Sequence, residues 1–308
     1  MHKTFDLEPI VHHVYELVTG TWQYVIADPA TQVAVIIDSV LDYDKENGIV
    51  DSSSADKLLA VIDDNKYQVN YILETHAHAD HLSASRYLQS VLSHRQSDAP
   101  KVCIGQRILQ VQQTFGTIYC IPQAELENAF DRLLQDDEQL NLGNLIIRVI
   151  HLPGHTPDHV GYIVGSNVFT GDTIFNPDVG SPRCDFPGGS TSELFRSTRR
   201  LLDLPAHYKL YTGHDYPPSK RDCHSALDAS KAIPFSTVEK QRQENKHLKS
   251  GTSEIEFVNW RNERDEGLQL PRLFHPSIRT NIRGGRLPRF SEDEFKIVKV
   301  PEGIIRVT

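Results

Sequence analysis

The 308-residue chain reads as an α+β protein, an αββα sandwich with a helical C-terminal extension. Three observations predict it. Short β-branched runs alternate with amphipathic helical stretches, so strands and helices are interleaved rather than segregated. Four of the strand-like runs end in a turn or loop that carries a histidine or an aspartate. The arrangement occurs on both sides of a polar stretch from Gly105 to Asn144, giving two ββα-rich halves whose polar strand ends share one edge.

Each element follows from its local pattern. Gln23 to Ala27 and Val33 to Ile37 are β-branched runs, and Asp28-Pro29-Ala30-Thr31 joins them as a hairpin turn. Ser52 to Asp64 predicts a helix, because serines can cap its start and Leu58, Leu59 and Ile62 share one face. Tyr71 to Leu73 is a strand that feeds a histidine-rich loop. Leu82 to Leu92 then predicts a helix with Leu88, Val91 and Leu92 on its buried side. Gly105 to Asn144 is polar with helical pieces, either a wall of a substrate pocket or a packed helix pair. Strands follow at Leu145 to Ile150, Gly161 to Val164 and Val168 to Thr170, with Gly165-Ser166 as a turn, and Ser192 to Leu202 is a helix. Beyond Ser219 the chain is charged and helix-rich, over Thr237 to Lys249 and Ser253 to Arg264. It ends among Pro271, Pro276, Gly284-Gly285 and Pro288.

The chemistry is concentrated in Thr75-His76-Ala77-His78-Ala79-Asp80-His81. Imidazole and carboxylate are the groups that hold first-row divalent metals. Residues two apart in an extended backbone project to the same side, so His76 and His78 can share one ion. Asp80 and His81 lie one step further, placed for a second. Three more candidates sit at strand ends in turns: His155 in Pro153-Gly154-His155-Thr156-Pro157, Asp172 in Thr170-Gly171-Asp172-Thr173, and His214 in Gly213-His214-Asp215-Tyr216.

His76-x-His78-x-Asp80-His81 followed by His155, Asp172 and His214 resembles the metallo-β-lactamase superfamily. Asp28-Pro29-Ala30-Thr31, Ile36-Ile37-Asp38, Pro153 to Pro157, Arg183-Cys184-Asp185-Phe186-Pro187-Gly188-Gly189 and Gly213 to Tyr216 resemble its glyoxalase II and persulfide dioxygenase branch. The resemblance implies a catalytic domain over residues 1–218 and an extension over 219–308 that packs on it, helps bind substrate or mediates contacts in a homodimer. It implies two divalent ions, zinc first, about 3.5–4 Å apart. His76, His78 and His155 would hold one ion; Asp80, His81 and His214 would hold the other. Asp172 would bridge, because a carboxylate has two oxygens to share. Asp80 and Asp172 are then the catalytic carboxylates. A water between two dications loses a proton near neutral pH and would open a lactam, lactone, ester or thioester carbonyl. The alternative is a persulfide dioxygenase with one Fe(II) on His76, His155 and Asp172, acting on glutathione persulfide. The resemblance also points to Arg183, Asp185 and Tyr216 as substrate contacts and to Asp38 as the residue that orients a metal-loop histidine. Cys184 has no activating base in view, so a covalent route through it is not expected.

Composition agrees. Hydrophobic residues make up 39% and charged residues 24%, with a net charge of −9. That balance argues against nucleic acid or an anionic membrane as partner, and the resemblance implies a small-molecule substrate. No apolar run approaches the ~20 residues of a membrane span. Met1 to Asp6 lacks the pattern of a secretion signal. Cys103, Cys120, Cys184 and Cys223 are scattered, as free thiols of a reducing compartment are, so a cytoplasmic location is expected.

Overall fold

The computed structural model describes residues 8–218 and 231–288. Met1 to Asp6, Cys223 and the first residues after Ser219 lie outside them. One six-stranded sheet runs in the order β1 (Ile10–Glu16), β2 (Thr21–Ala27), β3 (Val33–Ile37), β6 (Gln68–Leu73), β8 (Lys101–Gly105) and β9 (Arg132–Leu134). The other runs in the order β10 (Gln139–Leu142), β11 (Leu145–His151), β12 (Val160–Val164), β13 (Asn167–Gly171), β14 (Lys209–Thr212) and β15 (Phe235–Thr237). A small ribbon joins β5 (Ile49–Asp51), β4 (Val40–Asp44) and β7 (Leu82–Ser83). The helices are α1 (Ser53–Asn65), α2 (Ser85–Arg95), α3 (Ile108–Ile118), α4 (Gln123–Leu126), α5 (Thr191–Leu202), α6 (Val238–Glu244), α7 (Glu254–Glu266) and α8 (Phe274–Asn281).

The layering follows from the two-residue period of a strand. In β2, Trp22, Tyr24 and Ile26 face the second sheet, while Val25 and Ala27 face the helices. In β3, Val35 and Ile37 take the inner side and Ala34 and Ile36 the outer. Strands buried on both faces therefore read as continuous apolar runs rather than alternating ones. The inner core closes on Tyr24, Tyr162, Phe169 and Tyr211; the Phe169 and Tyr211 rings stack at 4.8 Å and Tyr24 meets Phe169 edge-on at 5.1 Å. Leu58, Leu88, Val111 and Ile278 bring α1, α2, α3 and α8 onto the outer face of the first sheet. Leu194, Val238 and Phe257 bring α5, α6 and α7 onto that of the second. The segments on either side of residues 219–230 thus share their cores.

Several elements differ from the sequence reading. Leu82 and Ser83 pair with β4 through Val40 and Leu41, so α2 starts only at Ser85. Gly105 to Asn144 contains α3, α4, β9 and β10, and it packs against α8 rather than lining the cavity at the polar edge. The helix expected from Thr237 ends at Glu244. The one from Ser253 carries a full capping box, in which Ser253 Oγ accepts from Glu256 N and Glu256 accepts from Ser253 N. The hairpin turn is built as its sequence implies: Asp28 accepts from Ala30 N and from the Thr31 hydroxyl.

Phe169 is fully buried in the inner core. Phe169→Ala should cost about 3–5 kcal/mol, seen as a lower urea midpoint at unchanged slope. A loss below about 1 kcal/mol would mean the two sheets do not pack as described.

Candidate metal centre

Every candidate ligand follows the end of a strand. The loop carrying His76, His78, Asp80 and His81 leaves β6, His155 follows β11, Asp172 follows β13 and His214 follows β14. Asp38 leaves β3 beside the first of these, with φ +52°, a conformation that aspartate tolerates better than most residues. His155 is set by a close approach: a Cβ on Gly154 would lie 2.3 Å from the backbone of Leu194 at the start of α5.

Asp38 fixes two ligands at once. Its Oδ2 accepts the Thr75 hydroxyl hydrogen at 2.8 Å, so Thr75 Oγ1 can only accept from His76 Nδ1, 2.9 Å away. Its Oδ1 accepts from Thr75 N at 2.7 Å and from His78 Nε2 at 3.1 Å. The second rings' nitrogens, His76 Nε2 and His78 Nδ1, are left buried and unpartnered, as is His81 Nε2. His155 Nδ1 donates to the Arg183 carbonyl at 2.7 Å, and its Nε2 lies 3.8 Å from Asp172 Oδ2. Buried imidazole nitrogens without a donor or acceptor are costly unless a cation fills the space between them, so these residues fit a metal. Ligand atoms of His76, His155 and Asp172 lie within 4.8 Å of one another, and those of His78, Asp80 and His81 form a second such group. His214 differs. Its Nδ1 sits 2.7 Å from Asp172 Oδ1 and its Nε2 2.6 Å from Asp80 Oδ2, so both ring nitrogens are taken.

The charges are arranged accordingly. Burial, reinforced by His78, His159 and His155, holds His76 well below the usual histidine range, in the neutral form that ligates. Burial would also lower His214, but Asp172 and Asp80 outweigh it and raise it to about 10. Burial alone would raise Asp80 and Asp172; His214 is the main partner that keeps both low.

Three participants carry no signal of their own in the sequence. Glu74 lies 3.3 Å from His78 Nε2 and accepts from the Ser83 and Ser85 hydroxyls. Asp158 accepts from Ala77 N at 2.8 Å, tying the metal loop to the second half. His159 accepts from Asp172 N at 3.0 Å and stacks on His76 at 4.6 Å; burial and His155 lower it to about 3, so it stays a neutral acceptor. Asp158 and His159 are the continuation of the His155 turn, which is the one hint the sequence offers.

A cavity of about 540 Å³ opens onto Asp80, His155 and Asp172, with Phe175, Tyr216 and Trp260 on its apolar side and Arg183, Lys246, Arg261 and Arg264 on its basic side. Arg183 is committed. It makes a two-pronged contact of 2.5 Å with each oxygen of Asp185 and donates to the Gln269 carbonyl at 2.9 Å. Asp185 is therefore held on Arg183. Tyr216 stacks on His214 at 5.6 Å. A second cavity of about 420 Å³ reaches His81 past Asp42, Asp44, Glu46 and Asp51, with Arg272 also in its lining. Cys184 is buried, and burial pushes its thiol up, away from nucleophilic use. No helix among the described residues is long and apolar enough to cross a membrane.

Asp38→Asn should weaken metal affinity by about 10–100-fold, because the amide, with one accepting oxygen, cannot serve all three donors as the carboxylate does. The check is metal retained after dialysis against graded chelator, read beside circular dichroism; wild-type retention in a folded variant would contradict the role.

The chain is 42% identical over 289 residues to Glyoxylase B2 of Dictyostelium discoideum, covering 93% of this chain and 94% of that protein. It is 38% identical over 294 residues to a beta-lactamase hydrolase-like protein of Xylella fastidiosa, covering 95% of this chain and 64% of that protein. The crystal structure of ETHE1 from Myxococcus xanthus superposes with a TM-score of 0.68 at 25% identity, over 90% of this chain and 100% of that one. The family model for the metallo-beta-lactamase superfamily matches residues 18–97 and 107–214, a span that contains every candidate ligand, and the chain belongs to that superfamily.

Proposed function

We propose that the chain is a mononuclear non-haem iron dioxygenase that oxidises an anionic thiol persulfide of the glutathione persulfide type. One observation carries the reading. His76, His155 and Asp172 present a two-histidine, one-carboxylate face with their ligand atoms within 4.8 Å of one another. These three residues would hold Fe(II), which when bound would supply the redox chemistry that dioxygen requires. The overall change balances as persulfide, dioxygen and water giving thiol, sulfite and two protons, so the terminal sulfur is the atom oxidised.

The chain's own residues bind and orient. The Arg183 carbonyl holds the His155 ring, and His159 holds the backbone of Asp172. Phe175 and Trp260 give the cavity an apolar side. Lys246 and Arg264, exposed at its mouth and with no salt bridge among the described residues, suit the carboxylates of a peptide thiol. The cavity at His81 is lined by Glu16, Asp42, Asp44, Glu46 and Asp51 against one arginine, and that net negative charge would repel the same ligand. The likeness to ETHE1 along the whole of that chain supports the same branch.

A second reading is a two-metal hydrolase of a thioester, ester, lactone or lactam, with zinc at both positions. The group His78, Asp80 and His81, with both histidines buried and His78 Nδ1 and His81 Nε2 unpartnered, favours it. Two ions there would supply an activated water, with Asp172 shared between them.

Anaerobically purified protein should contain about one iron per chain and take up oxygen with glutathione persulfide. His214→Ala should leave that iron nearly intact. Two zinc ions, hydrolysis across a thioester and lactam panel, and loss of one ion in His214→Ala would establish the hydrolase instead. Replacing Lys246 and Arg264 together by Ala should raise KM at least ~10-fold with kcat nearly unchanged, since the contacts are remote from the sulfur. An unaltered KM would place the carboxylates elsewhere.

A further inference from the structure

The C-terminal segment reaches the metal loop through one side chain. Asn281, the last residue of α8, is 5% exposed and uses its whole amide on that loop. Its Oδ1 accepts from Ser83 N at 2.8 Å. Its Nδ2 donates to the carbonyls of His78 at 2.7 Å and of His81 at 2.8 Å. The two N–H bonds of one planar group thus span the turn that carries His78, Asp80 and His81, and they fix its two ends relative to each other.

The rest of α8 is built to hold that amide still. Ile278, Ile282 and Leu287 are fully buried in the core under the first sheet. Arg283, also fully buried, pairs with Glu125 of α4 at 2.6 Å and donates to the Arg279 carbonyl. The turn after the helix fits closely. At Gly284, φ +66°, a Cβ would lie 2.0 Å from the Ala129 carbonyl oxygen. Ser83, held by Asn281, also donates to Glu74, which faces His78 Nε2. The clamp and the contacts on the His78 ring therefore form one network.

We infer that Asn281 is a positioning residue of the metal centre and that α8 is part of the metal site, not a cover over it. The backbone of the loop between His78 and His81 is held by a side chain about 200 residues away in sequence. Without it the two carbonyls and the Ser83 N–H lose their partner inside the protein, and the loop must turn to recover one. The inference rests on the metal-binding reading of the loop and is independent of which reaction the metal supports.

The test is competitive Zn(II) titration of the metal-free full-length chain against a chromophoric chelator, with thermal unfolding in parallel. Asn281→Ala should weaken Zn(II) affinity by about 10-fold or more. Asn281→Asp keeps the shape and the Ser83 contact but cannot donate, so it should not restore affinity. Ile278→Val loosens the same helix without removing a hydrogen bond to the loop, and should keep affinity within about twofold. Wild-type affinity in Asn281→Ala would overturn the inference. If Asn281→Ala does not fold, Asn281→Asp decides, and wild-type affinity there would reduce Asn281 to a space-filling residue. An equal loss in Ile278→Val would also overturn it, since affinity would then track helix stability alone. A wild-type chain that takes up no Zn(II) would reject the metal reading itself, which separates the two failures.

Discussion

The carboxylate of Asp38 is the contact on which the site depends. It receives the Thr75 amide, the Thr75 hydroxyl and the His78 ring, and through that hydroxyl it decides which nitrogen of His76 is protonated. One buried charge therefore engages one nitrogen on each of two rings 4.1 Å apart, and the other nitrogen of each makes no hydrogen bond. A fully buried carboxylate is expensive. Burial pushes Asp38 up, yet His78 and the Thr75 donors outweigh that and keep it ionised.

The inner core serves the same end. Tyr162 crosses between the sheets to donate to the Glu74 carbonyl at 2.6 Å, where the metal loop begins. Tyr24 donates to the Thr212 carbonyl at 2.5 Å, where the His214 turn begins. Each tyrosine buries its ring among apolar neighbours and places its hydroxyl on a strand end that would otherwise lack a partner. Packing between the sheets and aim of the ligands are thus one structure. A cavity in that core would be felt at the site as a misplaced loop as well as in stability.

What the sequence shows and what it hides divide along range. The candidate ligands were legible because a strand run, a turn residue and a His or Asp stand together within a few positions, as at Gly154-His155 and Gly171-Asp172. The hairpin at Asp28 and the helix after Ser253 were legible for the same local reason. Glu74 and Asn281 were not, since each is an ordinary residue until tertiary contact supplies its partner. α8 was masked by Pro276, which sits in its first turn, where a missing N–H costs nothing. The start of α2 was displaced because Leu82 and Ser83 gain more from pairing with β4 than from another helical turn. Arg183 was legible as a cavity residue. That its guanidinium is occupied by Asp185 is a property of the folded chain alone.

The two candidate metal positions are joined by His214. Its ring reaches Asp172 Oδ1 at 2.7 Å and Asp80 Oδ2 at 2.6 Å, so one imidazole touches a candidate ligand of each group. An ion held by Asp80 and His214 together would take the place of the proton that Nε2 and the carboxylate share. His214 also does most to keep both carboxylates ionised, so a charge placed at one position is felt at the other. The number of ions such a site takes up depends on that coupling as well as on the number of candidate ligands.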